Sequence, residues 1–285
     1  LESIKKEAGA YEAIGVTITG ELADCYASKK EGIEHISASV KKVFPEAVFY
    51  GVDGKFHEDT SDHSLFSAAN WMASARFIGR VHHDALFIDI GSTTTDIIPI
   101  VAGIPKAGMT DFERLSRGEL IYNGTLRTNI AALLQKVDVR GLSVRTASEL
   151  FAVTGDAHLL LGHIKPGDYT CDTPDGGGKD ETAAARRLAR VVCCDLEELS
   201  VPEAVKIAEQ AHARQVEILK ECISEGAGRN GLRSAVICGL GEFLAAKALC
   251  DLGIPFTILS HAYGGEISRV FPAYAVAGLL KEAKR

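Results

Sequence analysis

At 285 residues, with 46% hydrophobic and 24% charged side chains, the chain can bury the core of one large or two medium domains. Its net charge of −7 and the lack of a long basic run argue against nucleic acid or an anionic membrane surface as partner. No apolar stretch approaches the roughly 18 residues of a membrane span, and seven cysteines without a C-x-x-C pair suit small buried hydrophobes in a reducing cytoplasm better than disulfides or zinc.

The opening Leu1-Glu-Ser-Ile-Lys-Lys-Glu-Ala8 reads as an amphipathic helix entered midway, without a signal-peptide pattern, so a further segment is expected before it. A β-branched strand over 13–19 ends in Gly20-Glu-Leu-Ala-Asp24, which sets Glu21 and Asp24 where α/β folds place their sites. The same two carboxylates would also serve simply to cap the next turn of the chain. Ser28-Lys-Lys-Glu31 is a capping box, and the helix it opens carries Ile33, Ile36, Val40 and Val43 at helical spacing. Residues 48–51 form the next strand. His57, Glu58, Asp59, Asp62 and His63 fit no standard ligand spacing and read as a solvated loop. A packed helix is predicted over 64–78, with Trp71 in the core.

Residues 85–100, Ala-Leu-Phe-Ile-Asp-Ile-Gly-Ser-Thr-Thr-Thr-Asp-Ile-Ile-Pro-Ile, predict a β-hairpin, because β-branched apolar runs flank a short Gly/Ser/Thr break. The tip, Gly91 to Thr95, presents backbone N–H groups and three threonine hydroxyls to one point, as an anionic phosphate requires. Asp89 beside it could hold Mg²⁺ through water. An ordinary threonine-rich turn is the competing reading.

Thr110-Asp-Phe-Glu113 is a second capping box. In the polar stretch over 117–128, Arg117 and Arg127 could grip a diphosphate bidentately or form surface ion pairs. Thr146-Ala-Ser-Glu149 predicts a helix reaching Leu161 with Asp156 amid apolar neighbours. Residues 162–180 are a loop region. Within it, Gly178-Lys-Asp180 fails as a P-loop, since Thr173 stands where glycine is required and Asp180 replaces the Mg²⁺-binding Ser/Thr. A helix over 183–194 carries Arg186, Arg187 and Arg190, and Ser200-Val-Pro-Glu203 caps a long helix to about residue 223. Gly226-Ala-Gly-Arg-Asn-Gly231 matches G-x-G-x-x-G but precedes a strand, the wrong context for a dinucleotide. A strand over 234–239, the turn Gly239-Leu-Gly-Glu242 and a helix over 243–252 offer free N–H groups and a helix N-terminus to a phosphate or nucleotide. A strand over 256–259 and a small-residue helix from Pro272 to Leu280 close the chain. Strands thus alternate with helices, and two glycine turns lie at strand ends, which predicts α/β architecture with sites at strand termini.

Phe87-Ile-Asp-Ile-Gly-Ser-Thr-Thr-Thr-Asp96 resembles the second phosphate loop of the actin, sugar-kinase and heat-shock-chaperone superfamily. Val236-Ile-Cys-Gly-Leu-Gly241 resembles its adenosine-side glycine motif, and residues 273–279 its closing helix. Further stretches resemble the hydantoinase A branch, and within it a family of archaeal synthases of methanofuran biosynthesis: Gly20-Glu-Leu-Ala-Asp-Cys25, Lys30-Glu-Gly-Ile33, Asn70-Trp71, Gly118-Glu-Leu-Ile-Tyr122 with Gly124 and Arg127-Thr128, and Arg186-Arg-Leu-Ala-Arg190. The superfamily's first phosphate loop, an Asp-x-Gly hairpin, has no counterpart in these residues.

The resemblance implies a two-lobed actin-like ATPase (ribonuclease H-like) α/β fold. Residues 1–84 would be the remainder of the N-terminal lobe and 85–285 the C-terminal lobe, with the last helix, about 272–283, packing back on the first. It implies a cytoplasmic transferase that condenses an aminomethylfuran-methyl diphosphate with the phenol of γ-glutamyltyramine and releases pyrophosphate. Asp89, Glu21 and Asp24 would be its catalytic carboxylates, Asp89 also holding Mg²⁺. Gly91, Ser92, Thr93, Thr94, Thr95 and Arg127 would bind phosphate. Glu119, Tyr122, Gly239, Gly241 and Glu242 would line the substrate or nucleotide side. The partners implied are the small-molecule diphosphate and the phenolic acceptor, with homo-oligomer formation open. Two other activities stay open at this point: an ATP-dependent kinase or hydantoinase-like enzyme, and a nucleotide-gated interaction protein without catalysis.

Overall fold

The computed structural model describes residues 1–284. Its centre is a six-stranded sheet in the order Phe256–Ile258, Ala235–Cys238, Ala85–Ile90, Thr95–Val101, Ile104–Pro105, with Leu120–Ile121 also pairing on Thr95–Val101. The first three strands run parallel, and the hairpin Ala85–Ile90/Thr95–Val101 adds the antiparallel half. Both faces are covered, which is why these strands are continuous apolar runs instead of alternating ones. Phe87, Ile98, Ile100 and Cys238 look onto helices Asn70–Ile78 and Phe271–Ala283. Leu86, Ile88, Ile90, Ile97 and Ile237 look onto helices Val201–Asn230 and Glu242–Leu252.

Helix Phe271–Ala283 lies along Asn70–Ile78 and touches strand Gly15–Val16. It buries Phe271, Val276, Leu279 and Leu280, each worth about 1.5–3 kcal/mol relative to exposure. Helix Asn70–Ile78 shares one core with the large sheet, across the expected boundary at residue 84. A smaller N-terminal body pairs Gly15–Val16, Val48–Tyr50 and Phe56–His57 under helix Lys29–Val43. A helical layer of Thr154–Leu160 and Glu181–Arg190 packs against the long helix Val201–Asn230.

Thr110 and Glu113 close a full capping box, and the boxes at Ser28 and Ser200 each supply part of theirs. The Ser28 and Thr110 hydroxyls accept the amides of Glu31 and Glu113, and Glu203 takes the Ser200 amide. Elsewhere tertiary context wins over local pattern. The helix expected over 64–78 begins only at Asn70, because Ala68 sits in the left-handed region at φ 48° and breaks it. The box at Thr146 opens no helix. Its hydroxyl donates to the Leu134 carbonyl, and the helix starts at Thr154, where the Asp156 carboxylate takes the Val153 amide.

The long helix runs past 223 to Asn230, so the G-x-G-x-x-G match is its last five residues and the left-handed Gly231 that closes it. A hairpin over Lys136–Val139 and Leu142–Arg145 turns on left-handed Arg140 and Gly141. Against the expectation of small buried hydrophobes, of the seven cysteines only Cys238 is fully buried, and Cys25, Cys193 and Cys250 are exposed. Among the described residues no helix is long and apolar enough to cross a membrane.

Candidate active site

The hairpin tip is docked, not loose. Gly91 N–H donates to the Thr94 carbonyl, closing the turn. The carbonyls of Gly91 and Ser92 in turn accept the amides of Thr125, Leu126 and Arg127 at 2.9–3.0 Å. Gly124 makes this approach possible, since a Cβ there would run into the Thr93 and Ser92 backbone. With its carbonyls held from behind, the tip leaves the amides of Ser92, Thr93 and Thr94 without a protein acceptor among the described residues. Ser92, Thr93 and Thr94 are all half-buried. Consecutive unpaired N–H groups of this kind form an anion-binding nest.

Thr95 does not join them. It is the first residue of the return strand, fully buried, and its hydroxyl donates to the Asn123 carbonyl at 2.9 Å. The period of two along a strand turns its side chain into the core, away from the tip.

In front of the tip lies a cavity of about 140 Å³ lined by Thr19, Glu21, Ala68, Asn70, Thr94, Asp96, Arg114 and Tyr122, among others. That volume suits a diphosphate-sized group and falls well below the roughly 300–1,000 Å³ that encloses a drug-sized ligand. Glu21 is buried in its wall; one carboxylate oxygen accepts from the Ser67 hydroxyl at 2.9 Å, and the other has no partner. A buried carboxylate oxygen left unpaired costs free energy and marks a position where a ligand group is missing.

Arg114 is the cation of this cavity, and sequence reasoning missed it. It is 2% exposed, it stacks over Trp71 with its guanidinium 5.0 Å from the ring, and it pairs with Asp96 and with Asp111 at 2.8 Å. Asp111 is held in turn by Lys29 from the N-terminal body at 2.7 Å. No local motif announces Arg114, because Asp96 and Trp71 reach it only through the hairpin and helix Asn70–Ile78.

Asp89 faces Asp96 across the hairpin ladder and stands in register with Cys238 on the parallel strand. Burial, reinforced by the negative charges of Asp96 and Glu242, pushes its carboxyl up from 3.8 to about 7. Asp24 stands exposed beyond Glu21 and lines no part of the cavity. The exposed Arg127 is tied to the tip through its backbone amide and has no ion-pair partner among the described residues. Tyr122 lines the cavity at 56% exposure.

At the glycine turn the amides of the two glycines themselves are taken. Gly239, at φ 96°, donates to the Ser268 hydroxyl, and Gly241 donates to the Ile90 carbonyl at 3.0 Å. Both glycines are needed for close approach instead. A Cβ at Gly239 would lie 2.7 Å from the Asp89 carboxylate, and one at Gly241 2.6 Å from the Thr125 hydroxyl. Glu242 accepts from Ser260 and Ser268 and so ties the C-terminal helices to this turn. Glu119 is likewise structural, accepting the Gly108 amide at 2.8 Å from a buried position. The hard carboxylate oxygens of Asp89 are the donor type that Mg²⁺ takes.

A hairpin with unpaired tip amides and a carboxylate at the end of its first strand, a parallel partner strand with a glycine turn, and a closing helix define a protein of the actin-like ATPase fold. Acetone carboxylase, solved in a nucleotide-free state, superposes with a TM-score of 0.55 at 14% identity, over 88% of this chain and 38% of that one. The chain belongs to the hydantoinase/oxoprolinase family, whose model matches residues 12–283. Among its relatives is the (4-{4-[2-(gamma-L-glutamylamino)ethyl]phenoxymethyl}furan-2-yl)methanamine synthase of Methanocaldococcus jannaschii, 40% identical over 94% of this chain and 82% of that protein. The synthase of the same name from Methanococcus vannielii is 38% identical over 73% of this chain and 96% of that protein.

Proposed function

We propose that this chain is a synthase of the same kind, a transferase that joins a furan-methyl diphosphate to the phenol of γ-glutamyltyramine. The observation that carries the reading is 40% identity to a synthase so named across 94% of this chain. That relative's product name contains a phenoxymethyl-furan, so the bond to be made is an ether between the phenol oxygen and the furan methylene. In the reaction the phenol oxygen attacks the methylene carbon, the carbon–oxygen bond to diphosphate breaks, pyrophosphate leaves, and the phenol proton passes to a carboxylate. The furan spreads the positive charge that develops on its methylene, so the protein supplies position and electrostatics.

The residues at hand fit those tasks. The Ser92, Thr93 and Thr94 amides and the Thr94 hydroxyl meet the charge growing on the leaving diphosphate, with Arg127 at the exposed side. Glu21, whose free oxygen is buried in the cavity wall, is placed to accept the phenol proton. Asp89 would hold Mg²⁺, which when bound would neutralise diphosphate charge. The Arg114 pair with Asp96 fixes the strand that begins at Thr95, directly after Thr94 of the tip.

Diphosphate recognition separates this reading from ATP use. Pyrophosphate with Mg²⁺ at about 100 times its Kd is expected to stabilise the protein by about 2.7 kcal/mol, a rise of roughly 5 °C or more in Tm for a chain of this size. ATP with Mg²⁺ is expected to give no comparable rise in a thermal-shift measurement. Stabilisation by ATP together with its turnover to ADP would overturn the assignment.

A further inference from the structure

Away from this cavity, three histidines converge from separate elements: His158 on helix Thr154–Leu160, His163 just beyond it, and His212 on the long helix. One ring nitrogen of each lies within 4.8 Å of the other two. His158 is fully buried, His212 half-buried and His163 exposed, so the cluster has a dry floor and one open side. Phe243 packs against all three rings, with centroids 4.8–6.4 Å away.

The hydrogen-bond pattern sets where lone pairs point. Gln215 donates through its amide nitrogen to the Asn123 side-chain oxygen at 2.8 Å and to the Gly124 carbonyl at 3.0 Å. Its carbonyl oxygen therefore faces His158 Nε2 at 2.8 Å and must accept, which puts the proton on Nε2 and leaves the Nδ1 lone pair free. That Nδ1 lies 3.2 Å from His163 Nδ1. His212 Nδ1 is buried without any partner. Two ligands at 2.0–2.1 Å in a tetrahedral zinc site stand about 3.3 Å apart, so the His158–His163 pair already has the spacing, and a ring nitrogen of His212 lies within 4.8 Å of both.

We infer that His158, His163 and His212 bind one borderline divalent transition-metal ion, best suited by Zn²⁺, with a fourth position open to solvent. Three imidazole nitrogens favour such an ion over Mg²⁺, which takes oxygen ligands. Gln215 is the outer partner that fixes the tautomer and orientation of His158. Through its bonds to Asn123 and Gly124 it also links the ion to the segment against which the phosphate tip is seated. The ion would be a positioning element for that segment, separate from any Mg²⁺ at Asp89.

The test uses the full chain, stripped with chelator, reloaded with one equivalent of Zn²⁺, desalted and analysed by elemental mass spectrometry. Wild type is expected to retain close to one zinc per chain, and His163→Ala, at an exposed position that the fold does not need, to bind at least about tenfold more weakly with unchanged circular dichroism. Gln215→Leu is expected to weaken binding by about 10–100-fold. With Co²⁺ as probe, wild type should show the visible bands of a four-coordinate nitrogen site and His163→Ala should lose them. Zinc retention well below one per chain in wild type, or equal retention in His163→Ala, which keeps all seven cysteines, overturns the site.

Discussion

Asp89→Asn is expected to lower turnover by about 10²–10³ while leaving the metal-free protein at pH 8 as stable as wild type or more so. The stability half follows from where the carboxyl sits. Burial, Asp96 and Glu242 raise it from 3.8 to about 7 in the folded chain. A carboxylate raised by folding adds no cost below pH 3.8, where both states are protonated. The cost grows as pH rises towards 7 and is complete above it, at roughly 4 kcal/mol for such a shift. The isosteric amide removes that cost. A side chain that the fold holds against its own stability, at the end of the strand leading into the threonine tip, fits the proposed role in binding a cation. Calorimetry at pH 5 and pH 8 together with pyrophosphate-release kinetics checks both halves. Wild-type turnover in the variant would remove Asp89 from the site, and a large drop in Tm at pH 8 would make it a structural residue.

The second large effect is one of folding. Arg187→Met is expected to destabilise the protein by about 3–5 kcal/mol, a fall in Tm on the order of 10 °C. Arg187 and Asp156 are both fully buried and pair at 2.7–2.8 Å through two guanidinium nitrogens. Tyr169 also donates to Asp156, and Arg187 reaches the Asp175 carboxylate and the Gly178 carbonyl, clamping the loop to the helix. Removing the arginine strands a buried carboxylate. Arg187→Met combined with Asp156→Asn, which keeps an acceptor for the Val153 amide, is expected to recover more than half of the loss. A single-variant loss below about 1 kcal/mol in denaturant melts would show that the pair is not under this strain.

How much of the fold was legible in the sequence depended on the range of each cause. The hairpin and the capping boxes at Ser28, Thr110 and Ser200 were legible because their chemistry closes within four residues. The alternation Val137, Val139, Leu142, Val144 around Arg140-Gly141 carried an equally local signal for a hairpin, and it went unread. Asp156 stood out as a charge amid apolar residues, but its partner lies 31 residues away, so its structural role needed the fold.

The site was legible in its parts and not in its assembly. Asp89, Glu21 and the threonine tip were visible as residue types at strand ends. Thr95 was misjudged because one residue along a strand reverses the side chain's direction. The glycines of the Gly239–Gly241 turn are there for contact with Ile90, Asp89 and Thr125, and a packing requirement leaves the same letters in a sequence as a phosphate loop. Arg114, Asp96 and Trp71 meet only once the sheet has formed.

The central claim is met most directly by incubating the purified chain with Mg²⁺, γ-glutamyltyramine and the aminomethylfuran-methyl diphosphate, and following products by mass spectrometry and pyrophosphate release. The expected products are the phenoxymethyl-furan ether and pyrophosphate in equal amounts, with no requirement for ATP. No ether from these two substrates, or ether formed only when ATP is consumed, would contradict it.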